Sequence, residues 1–460
     1  MDFVLLTIAL LLLLLAGLGL SLPLLPKRPA SAAELFALSF LFGSTLVSLL
    51  SFLLGFLLSG ALLRWSVAML CAAIAFVGIR RRGLQLHRDN PNGSKKWLLA
   101  LAAVQLTIVT WLSSVRVLGW DGLFNFELKA RLAFLNGGVL PLELLSDPSR
   151  SWTLQSYPLL LPLTENWLYV WLGRADQHLA KLLFPLFFAS ALCLFSAANR
   201  LFGLRSWRKF VSPLLVFTVP SLLLGDGSAS SGYADFPLAV FYLASVVYLA
   251  EFWRSDDLAA LRLAGALAAA GCWLKQEGAI LWFCLMALAA FRLALMRAGR
   301  FALLRAGWRN WKELAKAALP GLLIVAGWQT FARWASLPDI NQFSPLNIAT
   351  LRRNLWRAPL IAEAVFRELA TWRHWGALWL IALAAIVWLM WRRNGSEALL
   401  PFAVLPPLAF YSSIYVFSRW PSFITHLESS LPRLLIQISL VAVLMVGIAL
   451  PPARISNLKA

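Results

Sequence analysis

The stretch GWDGLFNFELKAR, residues 119–131, places Asp121, Glu127, Lys129 and Arg131 at the end of a long apolar run. GYADFPL (232–238) sets Asp235 at the start of another, after a Gly/Ser-rich stretch whose backbone can approach a ligand closely. WLKQEG (273–278) holds Lys275 and Glu277 in a very short loop between two apolar runs. THLESSLPRLL (425–435) brings His426, Glu428 and Arg433 to the start of the last one. Charges beside lipid are costly and mark functional positions. A partly desolvated carboxylate such as Asp121 suits a general base; a helix-capping or water-facing Asp would show the same spacing. Lys275 and Arg433 suit a phosphate, the first as a point charge and the second as a bidentate fork, while snorkelling to the headgroups is the plainer role for Lys275. Asp235 with Pro237 also fits an ordinary helix start. Glu127 and Arg131, at i and i+4, read as a surface ion pair, and Lys129 falls on another face.

Further basic residues gather in the segment 346–374. Arg352, Arg353, Arg357, Arg367 and Arg373 interleave with Leu351, Leu355, Trp356, Leu360 and Ile361. Such a basic amphipathic stretch suits generic headgroup contact or an anionic partner, a lipid phosphate or acidic glycolipid. His426 with Glu428 is a poor metal signal, because groups at i and i+2 do not converge on a helix. The four cysteines lie in apolar runs without a second ligand at metal spacing, and read as small core residues. The chain carries no Walker loop, no dinucleotide fingerprint and no HExxH.

These charges must be positioned by a very apolar scaffold. Of 460 residues, 60% are hydrophobic and 13% charged, and the mean hydropathy is +0.74. This composition excludes an ordinary soluble fold and gives an all-α polytopic membrane protein. A β-barrel would show short alternating segments instead. Spans are expected near 3–24, 35–58, 61–79, 97–117, 177–199, 210–225, 236–253, 258–274, 278–296, 315–334, 375–392, 398–417 and 432–451, about 13 at roughly 20 residues each. The first lacks a basic leader and is taken as a retained span.

The net charge of +20 sets topology and needs no nucleic acid. The basic loops 80–96, 201–210, 297–312 and 391–397 fall on one, cytoplasmic, side. The opposite face receives Asp121, Glu127, Glu143, Asp147, Glu165, Asp235, Glu277 and Glu428, together with the longest non-spanning segments. Chemistry is therefore expected outside the cytoplasm, at the periplasmic face of a bacterial inner membrane. YPLLLPLTENWLYVWLG, rich in Trp and Tyr and broken by Pro158 and Pro162, fits a helix lying in the interface. The chain reads as one membrane domain, 1–460, without a separate soluble domain. Within it, 1–96 holds the first spans, 118–176 a first long outer loop and 336–374 a second.

Asp121, Asp235, Lys275 and Arg433 thus reach the membrane edge from separate outer loops. One or two carboxylates and a few cations there suit group transfer from a phospholipid-like carrier. The motifs WDGLFNFELKAR, SYPLLLPL, GYADFPL, WLKQEG and HLESSLPRLL, in this order and sidedness, resemble the GT-C superfamily of integral-membrane glycosyltransferases. The likeness includes the aminoarabinose transferase of lipid A and the protein O-mannosyltransferases, and runs over most of the chain. It implies an inverting transfer of a sugar from a polyprenyl-phosphate donor to a glycolipid, envelope glycan or protein. By the resemblance Asp121 would be the general base. Lys275 and Arg433 would bind the donor phosphate. Asp235, Glu277, Tyr157, Glu127, Lys129 and His426 would line the sugar and acceptor site, and Arg352, Arg353 and Arg357 would meet an anionic lipid. No cofactor is implied beyond a divalent cation, which some relatives use and others do not. The chain departs from the family in three places. Three extra spans precede the first loop, Gly122 stands where many members have an acid after the Asp, and Tyr157-Pro158-Leu159 replaces a His-Pro-Pro element.

Two other classes fit a multi-span chain. A flippase or transporter of lipid-linked sugars would want charges near the midplane and paired broken helices in repeats. The charges here lie at the edge, and no repeat is seen. An O-antigen polymerase or ligase would want a large outer loop with several arginines and a His, for which 336–374, with His374, is the nearest feature.

Overall fold

The computed structural model describes residues 1–83, 86–87, 93–295, 305–338, 342–392 and 395–451, with the backbone alone at 93–95 and 305–309. Parts of the basic loops 80–96, 297–312 and 391–397 lie outside the described residues. The described chain is nearly all helical, with no strand beyond two isolated bridges. Among the described residues, ten helices are long and apolar enough to cross a membrane. They are α1 (Asp2–Leu24), α2 (Ala32–Leu54), α3 (Gly60–Arg82), α4 (Lys96–Val115), α7 (Gln177–Leu201), α9 (Asp235–Ser255), α11 (Glu277–Leu295), α12 (Asn310–Trp334), α16 (Gly395–Phe417) and α17 (Phe423–Ala449). Between them lie α5 (Leu128–Leu135), α6 (Leu160–Leu172), α8 (Arg208–Thr218), α10 (Leu258–Leu274), α13 (Ile348–Asn354), α14 (Ala358–Leu369) and α15 (Leu378–Arg392).

Three of the expected spans are shorter helices than these ten. The runs at 258–274 and 375–392 become α10 and α15, apolar but only 17 and 15 residues long. The run at 210–225 stops at Thr218, because Val219 precedes Pro220 and is extended, with ψ 113°. Two helices form the axis of the bundle. In the most apolar stretch of α9, 94% of residues are buried, and in that of α17, 89%; in α4 and α12 the figure is 17%. Asp235 opens α9 and Arg433 lies in α17, so both charges are mounted on the most enclosed helices.

Helices α1 and α2 cross at glycine. A methyl added to Gly17 would lie 1.8 Å from the Ser39 carbonyl oxygen. Apolar side chains gain little from leaving lipid, so close backbone packing of small residues carries much of helix association there.

Helix α6, expected at the interface, is buried within the protein along almost its whole length. Its polar residues bond neighbouring helices and turns. The Trp167 indole donates to Ala9 O at 3.0 Å. Thr164 Oγ1 donates to Ser44 O of α2 at 3.3 Å, and the Asn166 amide to Gly138 O at 3.1 Å.

An ionic network staples the end of the bundle remote from Asp235. Glu251 lies sixteen residues further along α9 than Asp235, about 24 Å at 1.5 Å per residue. It accepts from Arg28 Nε at 2.5 Å. Arg28 also reaches Glu34 at 2.7 Å, and Arg200 joins Glu34 at 2.9 Å. The loop before α2 and the ends of α7 and α9 therefore meet on one face, and Asp121, Asp235, Lys275 and Arg433 on the other.

A candidate site at the Asp121 face

Arg433 is the hub of the charged cluster. Its Nη2 donates to Asp121 Oδ2, and its Nε lies 3.3 Å from Asp235 Oδ2. The guanidinium also lies over the Tyr233 ring, 4.6 Å from the centroid. Asp235 is fully buried. Its Oδ1 accepts from Lys275 Nζ and from Gln437 Nε2, each at 2.7 Å. Gln437 in turn accepts from the Tyr411 hydroxyl at 2.7 Å. Lys275 Nζ reaches Glu277 Oε1 at 3.2 Å and lies 6.0 Å from the Tyr157 ring centroid. Glu277 Oε2 is buried and has no hydrogen-bond partner. Burial pulls the Lys275 ammonium down, but Asp235 and Glu277 more than offset it and hold it charged, above its ordinary range. Burial, reinforced by Glu277, raises the Tyr157 phenol well above its ordinary value.

Local structure explains why these segments converge. Asp121 precedes a wide, π-type turn over Gly122–Glu127. A methyl on Gly122 would lie 2.9 Å from Ser231 O. An acid at 122 therefore cannot fit against the 225–234 loop. The carboxylate that accompanies Asp121 comes instead from Asp235, more than a hundred residues away and joined through Arg433. That loop also holds Asp235 in place, with Phe236 N donating to Gly227 O at 3.0 Å. Lys275 ends α10 in extended backbone, and Glu277 starts α11 one residue past Gln276. Gln276 and the Trp328 indole both donate to Ser156 O, at 3.2 and 2.8 Å. They anchor the loop that carries Tyr157.

Asp121, Asp235, Lys275, Glu277, Arg433 and Tyr157 thus meet. Glu127 and His426, also expected at the site, and Arg357, expected to meet lipid, bond other partners. Glu127 pairs with Arg131 at 3.0 Å, but the pair is not a surface one, because Glu127 is buried and accepts from the Tyr169 hydroxyl at 3.3 Å. Burial and then Glu127 push the carboxyl of its neighbour Glu165 well above the ordinary carboxyl range. These groups face α6 and make no bond to the cluster. His426 bonds the Ser418 hydroxyl at 2.9 Å and stacks on Trp420, with centroids 4.6 Å apart, away from Arg433. Arg357 does not stand open for lipid. It donates to Ser418 O at 3.0 Å and lies 4.9 Å from the Phe423 ring centroid. Arg352 and Arg353 are exposed on α13. Among the described residues no three His, Cys, Asp or Glu side chains are placed to hold a metal ion. The residues missed from sequence are Tyr233, Tyr411 and Gln437. Gln437 had a signal: an amide one turn beyond Arg433 in an otherwise apolar run.

Lys129 is buried beside the cluster, with Nζ bonded to Asn125 Oδ1 and Leu154 O, each at 2.8 Å. Burial lowers its amine from 10.5 to about 7, and Asp121 opposes part of that shift. Below about pH 7 both folded and unfolded chains hold this proton, and the folded state bears the full cost of the buried ammonium. From about 7 upward the folded chain sheds the proton first, so the unfolded chain binds more protons and stability rises with pH. Between pH 6 and 9, thermal unfolding in detergent is therefore expected to shift in favour of the wild type relative to Lys129→Met. A stability difference that does not change with pH would remove the buried, easily deprotonated amine.

No family model matches the chain, and no curated protein or solved structure matches it either.

Proposed function

We propose that the chain is an inverting glycosyltransferase of GT-C type in a bacterial inner membrane, with thirteen membrane passes and its site facing the periplasm. It moves a sugar from a polyprenyl-phosphate donor to a glycolipid, envelope glycan or protein. One observation carries this reading: carboxylates and cations from four distant segments converge at one end of a bundle of membrane-length helices. In the reaction the acceptor hydroxyl or amine attacks the anomeric carbon, and the bond from that carbon to the phosphate oxygen breaks. The acceptor proton passes to Asp121, and the polyprenyl phosphate leaves as an anion. Before the donor arrives, Arg433 holds Asp121. The donor phosphate competes for the same guanidinium and releases Asp121 as the base. Lys275 shares the growing phosphate charge, as preorganised cations do in a site from which water is excluded. Asp235, anchored by Gln437, keeps both cations in place throughout, and the unpartnered Glu277 oxygen accepts a sugar hydroxyl.

The test uses the purified protein in liposomes with a radiolabelled polyprenyl-phosphate sugar and an envelope extract. Wild type is expected to move label to an acceptor, and Asp121→Asn to do so about 100-fold more slowly or worse while folding normally. Label that crosses the bilayer without leaving its lipid would make the protein a flippase.

A further inference from the structure

A cavity of about 190 Å³ lies apart from the charged cluster, between Gly60, Ala61, Arg64, Gly137 and Val170. An adjoining crevice shares Gly60, Arg64 and Gly137 and ends on Asn166. Two polar groups around this space are buried and unsatisfied: the Arg64 Nε–H and the Asn166 Oδ1. Such groups are rare in folded chains and call for a partner. Asn166 cannot satisfy itself by turning, because its amide nitrogen already donates to Gly138 O at 3.1 Å and the residue is 2% exposed. The Arg64 guanidinium is caged, 5.3 Å from the Trp65 ring centroid and 5.5 Å from that of Trp171. Only its Nη1 is engaged, donating to Val170 O at 3.3 Å.

The backbone adds to this preference. Helix α3 runs 23 residues from Gly60, and its cap, Ser59, makes no side-chain bond to the first turn. Gly60 N is taken by Gly137 O at 2.6 Å, but the next two amides and the positive end of the dipole lie beside Arg64 at the cavity. A guanidinium with a free Nε–H and a helix N-terminus together select an oxyanion. The single orphaned acceptor, Asn166 Oδ1, selects a donor next to that anion.

We infer that this cavity binds a phosphate ester whose neighbouring group carries a hydroxyl or amine, presented by a membrane lipid. The lipid source follows from position. Arg64 lies in the opening turns of a membrane-length helix, at headgroup depth. Leu62 and Trp65 on either side are 63% and 51% exposed and form the apolar surface that lipid chains cover.

Binding to the delipidated full-length protein can be read by native mass spectrometry. The probes are short-chain phosphatidylglycerol, phosphatidylethanolamine and phosphatidylcholine, with glycerol 3-phosphate alone as the soluble arm. Phosphatidylethanolamine and phosphatidylcholine are both zwitterionic phosphodiesters, but only the first has a headgroup donor for Asn166. The glycerol and ethanolamine lipids are expected to bind, and the choline lipid to bind several-fold more weakly. Arg64→Gln is expected to weaken phosphatidylglycerol by about tenfold, the scale of one charged hydrogen bond. Arg64→Lys keeps the charge but loses the Nε–H donor, so it keeps the test available if Arg64→Gln misfolds, and a several-fold loss is expected. Equal binding of the ethanolamine and choline lipids would overturn the assignment, as would wild-type affinity in both variants. Glycerol 3-phosphate binding as tightly as phosphatidylglycerol would overturn the lipid source.

Discussion

Replacing Arg433 by Met is expected to abolish sugar transfer and to cost about 3–5 kcal/mol of stability, the usual penalty for removing one partner of a buried ionic network. Arg433 bonds both Asp121 and Asp235, and Asp235 is fully buried. Without the guanidinium, Lys275 is left to offset Asp235, and Asp121 loses its counter-ion. The expected pattern extends to second changes. Asp121→Asn in the Arg433→Met background removes the uncompensated charge, so stability is expected to recover in part while transfer stays absent. The coupling between the two sites, read as the non-additive part of a double-mutant cycle, measures their contact. Arg433→Lys keeps the charge but cannot fork to two carboxylates, and is expected to fall between wild type and Arg433→Met. Unfolding by denaturant in mixed micelles, alongside donor consumption, reads all of these variants. Additive effects of the Asp121 and Arg433 changes would mean that the two side chains do not meet.

The broad architecture was legible because helix length and hydropathy are local properties. Runs such as 432–451 need only be apolar over a membrane thickness to be seen. Their individual fates were not legible. The run at 210–225 is as apolar as its neighbours, and only the extended Val219 before Pro220 ends α8 early. α6 shows the same limit. Its mixture of Trp, Tyr, Thr and Asn suits an interface, and sequence alone did not show that those polar groups find Ala9, Ser44 and Gly138. Composition does not say which partner a hydrogen-bonding group will find. Within the site, each charged residue could be picked out singly, because a charge beside lipid is conspicuous. Their pairing could not, since Arg433 and Asp121 are 312 positions apart. Gly122 is the clearest case. In sequence it looks like a missing acid, whereas in three dimensions it is the close contact that brings the 225–234 loop, and with it Asp235, to Asp121.

The opposite face supplies the other large effect, on stability alone. Glu34 is fully buried and accepts from Arg28 at 2.7 and 3.0 Å, from Arg200 at 2.9 Å and from the Tyr248 hydroxyl at 2.8 Å. It also closes the capping box of α2, its Oε2 accepting from Ser31 N at 3.4 Å. Glu34→Ala therefore leaves two arginines and a tyrosine without their shared acceptor and opens half of the capping box, while Ser31 still caps the backbone N of residue 34. The expected cost is about 3–5 kcal/mol. Glu251→Ala is expected to cost less, because Glu251 receives only Arg28, which keeps Glu34. Glu34→Gln retains one acceptor oxygen and is expected to lie between them. Denaturant unfolding of the three variants in mixed micelles gives the ranking. Transfer per folded molecule is expected to stay at the wild-type level in all three, since the network lies about 24 Å along α9 from Asp235. Equal costs for Glu34→Ala and Glu251→Ala would remove Glu34 from the centre of the staple. A loss of transfer without a loss of stability would show that the two faces are coupled through α9, so that the staple tunes the site as well as holding the fold.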